Sequence, residues 1–204
     1  MNKEQRVEVF AKELSWITNS ELRNFAEHCL AEVPDYFFTI PASASGKHHP
    51  TYALGQGGLV RHTKAAMGIF HQLCKADIDL YYLADVFSND LITREQLDDE
   101  IIVALMFHDC MKLGNTDHTV HEHPLLTAAF IENQAIKQNV HNGMAISRIA
   151  SSIRSHMGKW SISRFSCFML PTPDGGDWQA KLVHLCDYLA SRKCIEYNFG
   201  AFTE

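Results

Sequence analysis

The segment QLDDEIIVALMFHDCMKLG, residues 96–114, constrains this chain more than any other. Its centre, IIVALMF, is apolar on every side and belongs in an interior, while the acidic start and the Lys-Leu-Gly end favour a helix over a strand. Thr93 and Gln96 have the spacing of a capping box, and Gly114 stands where a helix stops. The spacing therefore predicts a long buried helix over 97–113 around which the other elements pack. His108 and Asp109 fall at its polar end. An imidazole and a carboxylate placed against a core are unfavourable unless they are hydrogen-bonded or bind a metal.

The flanking sequence supplies the packing partners. Val7, Phe10 and Leu14, then Leu22, Phe25, Cys29 and Leu30, recur at helical spacing and predict two amphipathic helices, the second capped by Asn19 or Ser20. Pro34, Pro41 and ASASGKHHP break the period, so 34–58 reads as loop with a short helical turn. Leu59, Ala66, Met67, Phe70 and Leu73 line one stripe of a helix over 59–74, and 80–88 reads as a short helix. His123-Pro124 opens a helix to about Gln138, with proline where its missing donor costs little, and 143–156 and 177–197 add two more. No βαβ alternation, GxGxxG or GxxxxGK[ST] is present. The expectation is one all-α domain over 1–204, a helical bundle with 1–33 as an N-terminal helical pair packed on the core.

Composition narrows the function classes. With 18 basic and 24 acidic side chains the formal charge is −6, so the field of the molecule does not draw in a long polyanion. No apolar run approaches the roughly 20 residues of a membrane span, and MNKEQRVEVFAKELS lacks a signal-peptide core, which predicts a cytoplasmic protein without a membrane partner. Six cysteines without a CxxC pair suit reduced, mostly buried thiols. The twelve histidines, concentrated in mid-chain, are the anomaly.

Asp109 offers two oxygens, enough to bridge two metal ions about 3.5 to 4 Å apart, with His108 on one of them. Lys112 lies three residues after Asp109 and four after His108, on the same side of a helix and within reach of a substrate phosphate. Read outward from this pair, FFTIPASASGKHHPTYALGQGGLVRHT, FHDCMKLG, HEHPLLTAAFI, SHMGKW and HLCDYLASR together resemble the HD-domain metal-dependent phosphohydrolase superfamily, and most of all the catalytic domain of YhaM-type 3′-to-5′ exoribonucleases. The resemblance covers roughly residues 37 to 193.

It implies a helical bundle around a buried metal site, with His62, His108, Asp109, His123, His156 and Asp187 as ligands and with Asp109 and Lys112 in catalysis. His118 and His121 lie close enough to compete with His123 for the third position. It further implies that an ion on His62, His108, Asp109 and Asp187 activates a water for in-line attack on phosphorus, while a second ion on Asp109, His123 and His156 grips the substrate. The mixed imidazole and carboxylate set suits manganese, iron, nickel or zinc, with magnesium admissible. Met157 stands where those exonucleases carry a second histidine, so one firm ion position and a weaker second are expected.

The N-terminal helices replace an oligonucleotide-binding barrel, which shifts the expected substrate from long RNA to a nucleotide or very short oligonucleotide. His48, His49, Arg61, Lys159 and Trp160 are candidate substrate contacts. Three other readings use the same residues: an exoribonuclease that borrows its RNA grip from a partner, a non-catalytic nucleotide-sensing module, and a di-iron oxygenase.

Overall fold

The computed structural model describes residues 1–43, 45–47, 49–76, 92–160, 172 and 178–195. All regular structure among the described residues is helical: α1 (Lys3–Glu8), α2 (Ala11–Leu14), α3 (Ser20–Glu32), α4 (Gly58–Lys75), α5 (Arg94–Phe107), α6 (His123–Lys137), α7 (Gly143–Ser155) and α8 (Trp178–Ala190). Short 3-10 turns cover Asp35–Phe38, Thr51–Ala53 and Gly158–Trp160. The short helix expected over 80–88 lies outside the described residues. No helix of the described residues is long and apolar enough to cross a membrane.

α5 is the axis. Leu97 and Asp99 through Phe107 are all buried, and α4, α7 and α8 pack against it, with α6 laid on α7 and α4 on α8. Such a helix has no solvent face, which is why its sequence shows no helical stripe. Its start is as expected, with Thr93 and Gln96 forming the capping box. Its end is not. The helix stops at Phe107, and the chain continues to Gly114 in tighter turns in which Cys110 N–H donates to Phe107, Lys112 N–H to Asp109 and Gly114 N–H to Met111. The cause is local: the His108 ring takes the Leu105 carbonyl, and the Thr127 hydroxyl accepts the Met111 N–H, so helical pairing gives way. α8 likewise ends at Ala190, short of the expected 197, because Ser191, Arg192 and Ile195 close tight turns.

Three helices rather than two open the chain, since the backbone breaks at Val9–Phe10 and the Phe10 ring turns into the core. They are tied to α5 by buried Asp99, whose carboxylate accepts from Thr18 N–H, Thr18 Oγ1–H and Asn19 N–H. α5 is tied to α7 and α8 by Glu100, which accepts from Arg148 at 2.6 and 2.8 Å and from Gln179 at 3.1 Å. Cys29, Cys110 and Cys186 are buried, Cys74 is half-buried and Cys194 is exposed.

The loop ahead of α4 is pinned in place. A Cβ on Gly58 would lie 2.3 Å from the Ala53 carbonyl oxygen and 3.1 Å from Pro41 Cα. Only glycine lets these backbones meet so closely, which gives the GGL motif a physical reason. Tyr52 Oη–H donates to the Ala190 carbonyl at 2.7 Å, joining the loop to α8.

Candidate metal centre

Helix ends place the site. His108 and His156 sit at the C-terminal boundaries of α5 and α7, His123 begins α6, His62 lies in the second turn of α4 and Asp187 lies on α8. Two C-termini pointing at one place make it favourable for a cation. The rings form a continuous row, with centroids 5.6 Å apart for His62–His108, 5.2 Å for His108–His156 and 5.3 Å for His156–His123.

Two groups of ligand atoms result. His62, His108 and Asp187 form one, and Asp109, His123 and His156 the other, with the atoms of each within 4.8 Å of one another. Asp109 Oδ1 lies 2.9 Å from His123 Nε2 and 3.7 Å from His156 Nε2. Asp187 Oδ1 lies 2.9 Å from His62 Nε2 and 3.6 Å from His108 Nε2. Asp109 Oδ2 turns toward His108 Nε2 at 3.8 Å and accepts from Lys112 Nζ at 2.5 Å. Either group can hold a metal ion.

The strongest sign that cations belong here is the protonation pattern. His108, His123 and His156 each donate Nδ1–H to the carbonyl three residues earlier, those of Leu105, Val120 and Ile153, at 2.7 to 2.8 Å. In a neutral ring this fixes a bare Nε2 lone pair, and here every such Nε2 faces a carboxylate. His123 Nε2, 2.9 Å from Asp109, and His108 Nε2, 3.6 Å from Asp187, make no hydrogen bond in this arrangement. Lone pairs aimed at one another in a buried space need a proton or a metal ion between them.

Electrostatics divide the rings. Burial lowers the His123 pKa, keeping the ring neutral. At Asp109 burial pushes the pKa up, but Lys112 and His108 outweigh it and hold the carboxyl well below the usual range. At Asp187 burial is likewise outweighed, by His108 and His62. Burial would lower the pKa of His108, but Asp109 and Asp187 raise it.

Five of the six ligands, all but fully buried His108, line a cavity of about 380 Å³ together with Ser43, His49, Lys112, Thr119, Met157, Trp160, Tyr188, Ser191 and Arg192. His49 enters it at 5.6 Å from the His62 ring, with an unpaired buried Nδ1. His123 reaches Asp109, whereas His118 is exposed and paired with Asp117. Arg61 does not line this cavity: its guanidinium donates through Nε and Nη2 to the Tyr52 and Leu54 carbonyls at 2.5 and 2.8 Å, holding the loop. His48 and the Lys159 side chain lie outside the described residues.

Tyr188, Ser191 and Arg192 were not among the sequence candidates. Their signal was their spacing from Asp187, at one, four and five residues, which keeps them near it on α8 and the turn that follows. Comparison of the chain with protein-family models, with curated proteins and with solved structures finds no match.

Proposed function

We propose that this chain is a metal-dependent phosphohydrolase of the HD-domain type, cleaving the phosphoester of a nucleotide or very short oligonucleotide. The observation that carries the reading is the pairing of imidazole nitrogens with buried Asp109 and half-buried Asp187, beside a lysine that lines the same cavity. The donor set, two imidazoles and one carboxylate per group, suits manganese, iron, nickel or zinc. A divalent ion supplies water activation near neutral pH and a grip on the phosphoryl oxygen.

The chain's own residues do the rest. Asp187 and Asp109 hold the two groups of imidazoles in register; Nδ1–H bonds to backbone carbonyls fix the His108, His123 and His156 rings, and Asp187 holds His62 through its Nε2. Lys112, turned toward Asp109 and lining the cavity, is placed to neutralise charge on a phosphoryl oxygen. A cavity of about 380 Å³ suits a single small ligand, and a net charge of −6 disfavours a long strand.

The test is elemental analysis of purified protein together with turnover of a panel of 3′-nucleotides, cyclic nucleotides, deoxynucleotides and short RNA. Asp109→Ala is expected to lose metal without losing the fold. Its activity should drop by more than the roughly 100-fold that loss of a supporting contact can reach. Unchanged metal content in Asp109→Ala, or no turnover of any panel member by metal-replete protein, would overturn the proposal.

A further inference from the structure

The cavity holds groups that metal binding does not use. Trp160 is 41% exposed, and its ring stacks on Tyr188 with centroids 5.7 Å apart and planes 23° from parallel. The Arg192 guanidinium carbon lies 4.5 Å from the Tyr188 ring centroid and 5.9 Å from that of Trp160. The guanidinium is steadied by Ser191 Oγ, which accepts from its Nε and Nη2 at 3.1 and 2.8 Å. The same cavity is lined by Lys112 and by residues of both ligand groups.

Spacing along the chain places the wall beside the ligand groups. Tyr188 follows Asp187 directly, and Ser191 lies one helical turn, about 5.4 Å, further on. Trp160 stands four residues beyond His156. A ligand with its phosphate at Lys112 therefore has an aromatic wall within the same cavity. In an aryl phosphate the ring is joined directly to the phosphate, with no sugar between them.

We infer that Trp160, Tyr188 and Arg192 form a base-recognition subsite, so that the substrate is a mononucleotide whose planar base packs on this wall while its phosphate faces Lys112. The inference rests on the phosphohydrolase reading for the phosphate end and on the wall itself for the base. Base stacking on an aromatic side chain tolerates any base, because every base has a π-face, and a neighbouring guanidinium adds to it. The subsite therefore selects for the presence of a base more than for its identity.

Calorimetric titration of the metal-loaded protein with adenosine 5′-monophosphate, ribose 5-phosphate and phenyl phosphate tests it. The nucleotide should bind roughly 5- to 160-fold more tightly than ribose 5-phosphate, the factor that one stacked base supplies. Trp160→Ala should erase that advantage and leave ribose 5-phosphate binding unchanged, while Trp160→Phe keeps most of it. Circular dichroism melts show whether each variant is folded. Equal binding of the nucleotide and ribose 5-phosphate, equal weakening of both in Trp160→Ala, or tighter binding of phenyl phosphate would overturn the subsite. Turnover of phosphoesters without any preference for a base would overturn it while the hydrolase reading stands. A preference for the nucleotide without turnover would support it while that reading falls.

Discussion

His184 on α8 donates its Nδ1–H to the carbonyl of His156 at 2.6 Å, so the helix that carries Asp187 also holds the end of α7. The same ring fills the space beside Gly158, where a Cβ would lie 2.3 to 2.7 Å from three of its atoms. Gly158 has φ +53°, in the left-handed region. Gly158→Ala therefore meets both a backbone penalty and a clash, with a combined cost of about 1–3 kcal/mol or more. At this chain length each kcal/mol lowers the Tm by roughly 2–4 °C. Thermal melts check the cost, and metal content should fall alongside it because His156 is displaced. An unchanged Tm in Gly158→Ala would show that the contact between α7 and α8 is dispensable.

Glu100 is 1% exposed and meets Arg148 through two hydrogen bonds. Removing one partner of a buried pair strands the other, at about 3–5 kcal/mol, whereas exchanging both for apolar groups can be nearly neutral. Arg148→Met should destabilise strongly in urea titrations, and Arg148→Met with Glu100→Leu should recover much of the loss. A small effect of the single change would mean that the Gln179 amide alone, at 3.1 Å from Glu100, compensates the carboxylate.

His71 stacks on Trp16 with centroids 4.1 Å apart and planes 6° from parallel. Burial, and then the charges of Lys75 and Lys12, lower its pKa from the ordinary 6.5. The native state thus binds this proton less readily than the unfolded chain does. Its contribution to stability is full above about pH 6.5 and shrinks as the pH falls below that value. Burial lowers the pKa of His49 and His123 as well, so the measurement is a difference between proteins. Urea midpoints from pH 7.5 to 5.5 should fall less steeply for His71→Phe than for the parent. Parallel pH profiles would remove His71 from the linkage.

Much of this arrangement is legible along the chain, because the site is built at helix boundaries and boundaries have local signals. Thr93 and Gln96 cap α5, Pro124 opens α6 beside His123, and IIVALMF can only be interior. The grouping of ligands is not legible. Asp109 Oδ1 turns to His123 and His156 while Asp187 takes His62 and His108, and that division depends on how α4, α6, α7 and α8 cross. Arg61 shows the same limit. It adjoins His62 in sequence, yet the loop carbonyls of Tyr52 and Leu54 decide where its guanidinium goes. The end of α5 is equally hidden, since Gly114 signals a stop correctly but the His108 ring breaks the helix first.

The two ring nitrogens of the site histidines have separable duties, and substitution can divide them. Asparagine places its amide near the Nδ1 position of histidine, so His108→Asn and His123→Asn keep a donor for the Leu105 and Val120 carbonyls while removing the Nε2 lone pair. The metal-free variants should melt within about 1 kcal/mol of the parent, since the buried carbonyls remain satisfied. The parent should gain about 2.7 kcal/mol from a divalent ion at 100 times its dissociation constant, and this gain should be lost or much reduced in each variant. At roughly 2–4 °C per kcal/mol that is a shift of about 5–11 °C in the parent, reversed by chelator. Alanine at either position would lose both functions and mix the two effects. If the asparagine variants keep the full metal-induced shift, the Nε2 atoms are not ligands and the pairing of imidazoles with carboxylates is structural. If instead they collapse without metal present, the Nε2 contacts to Asp109 and Asp187 are carrying the fold by themselves.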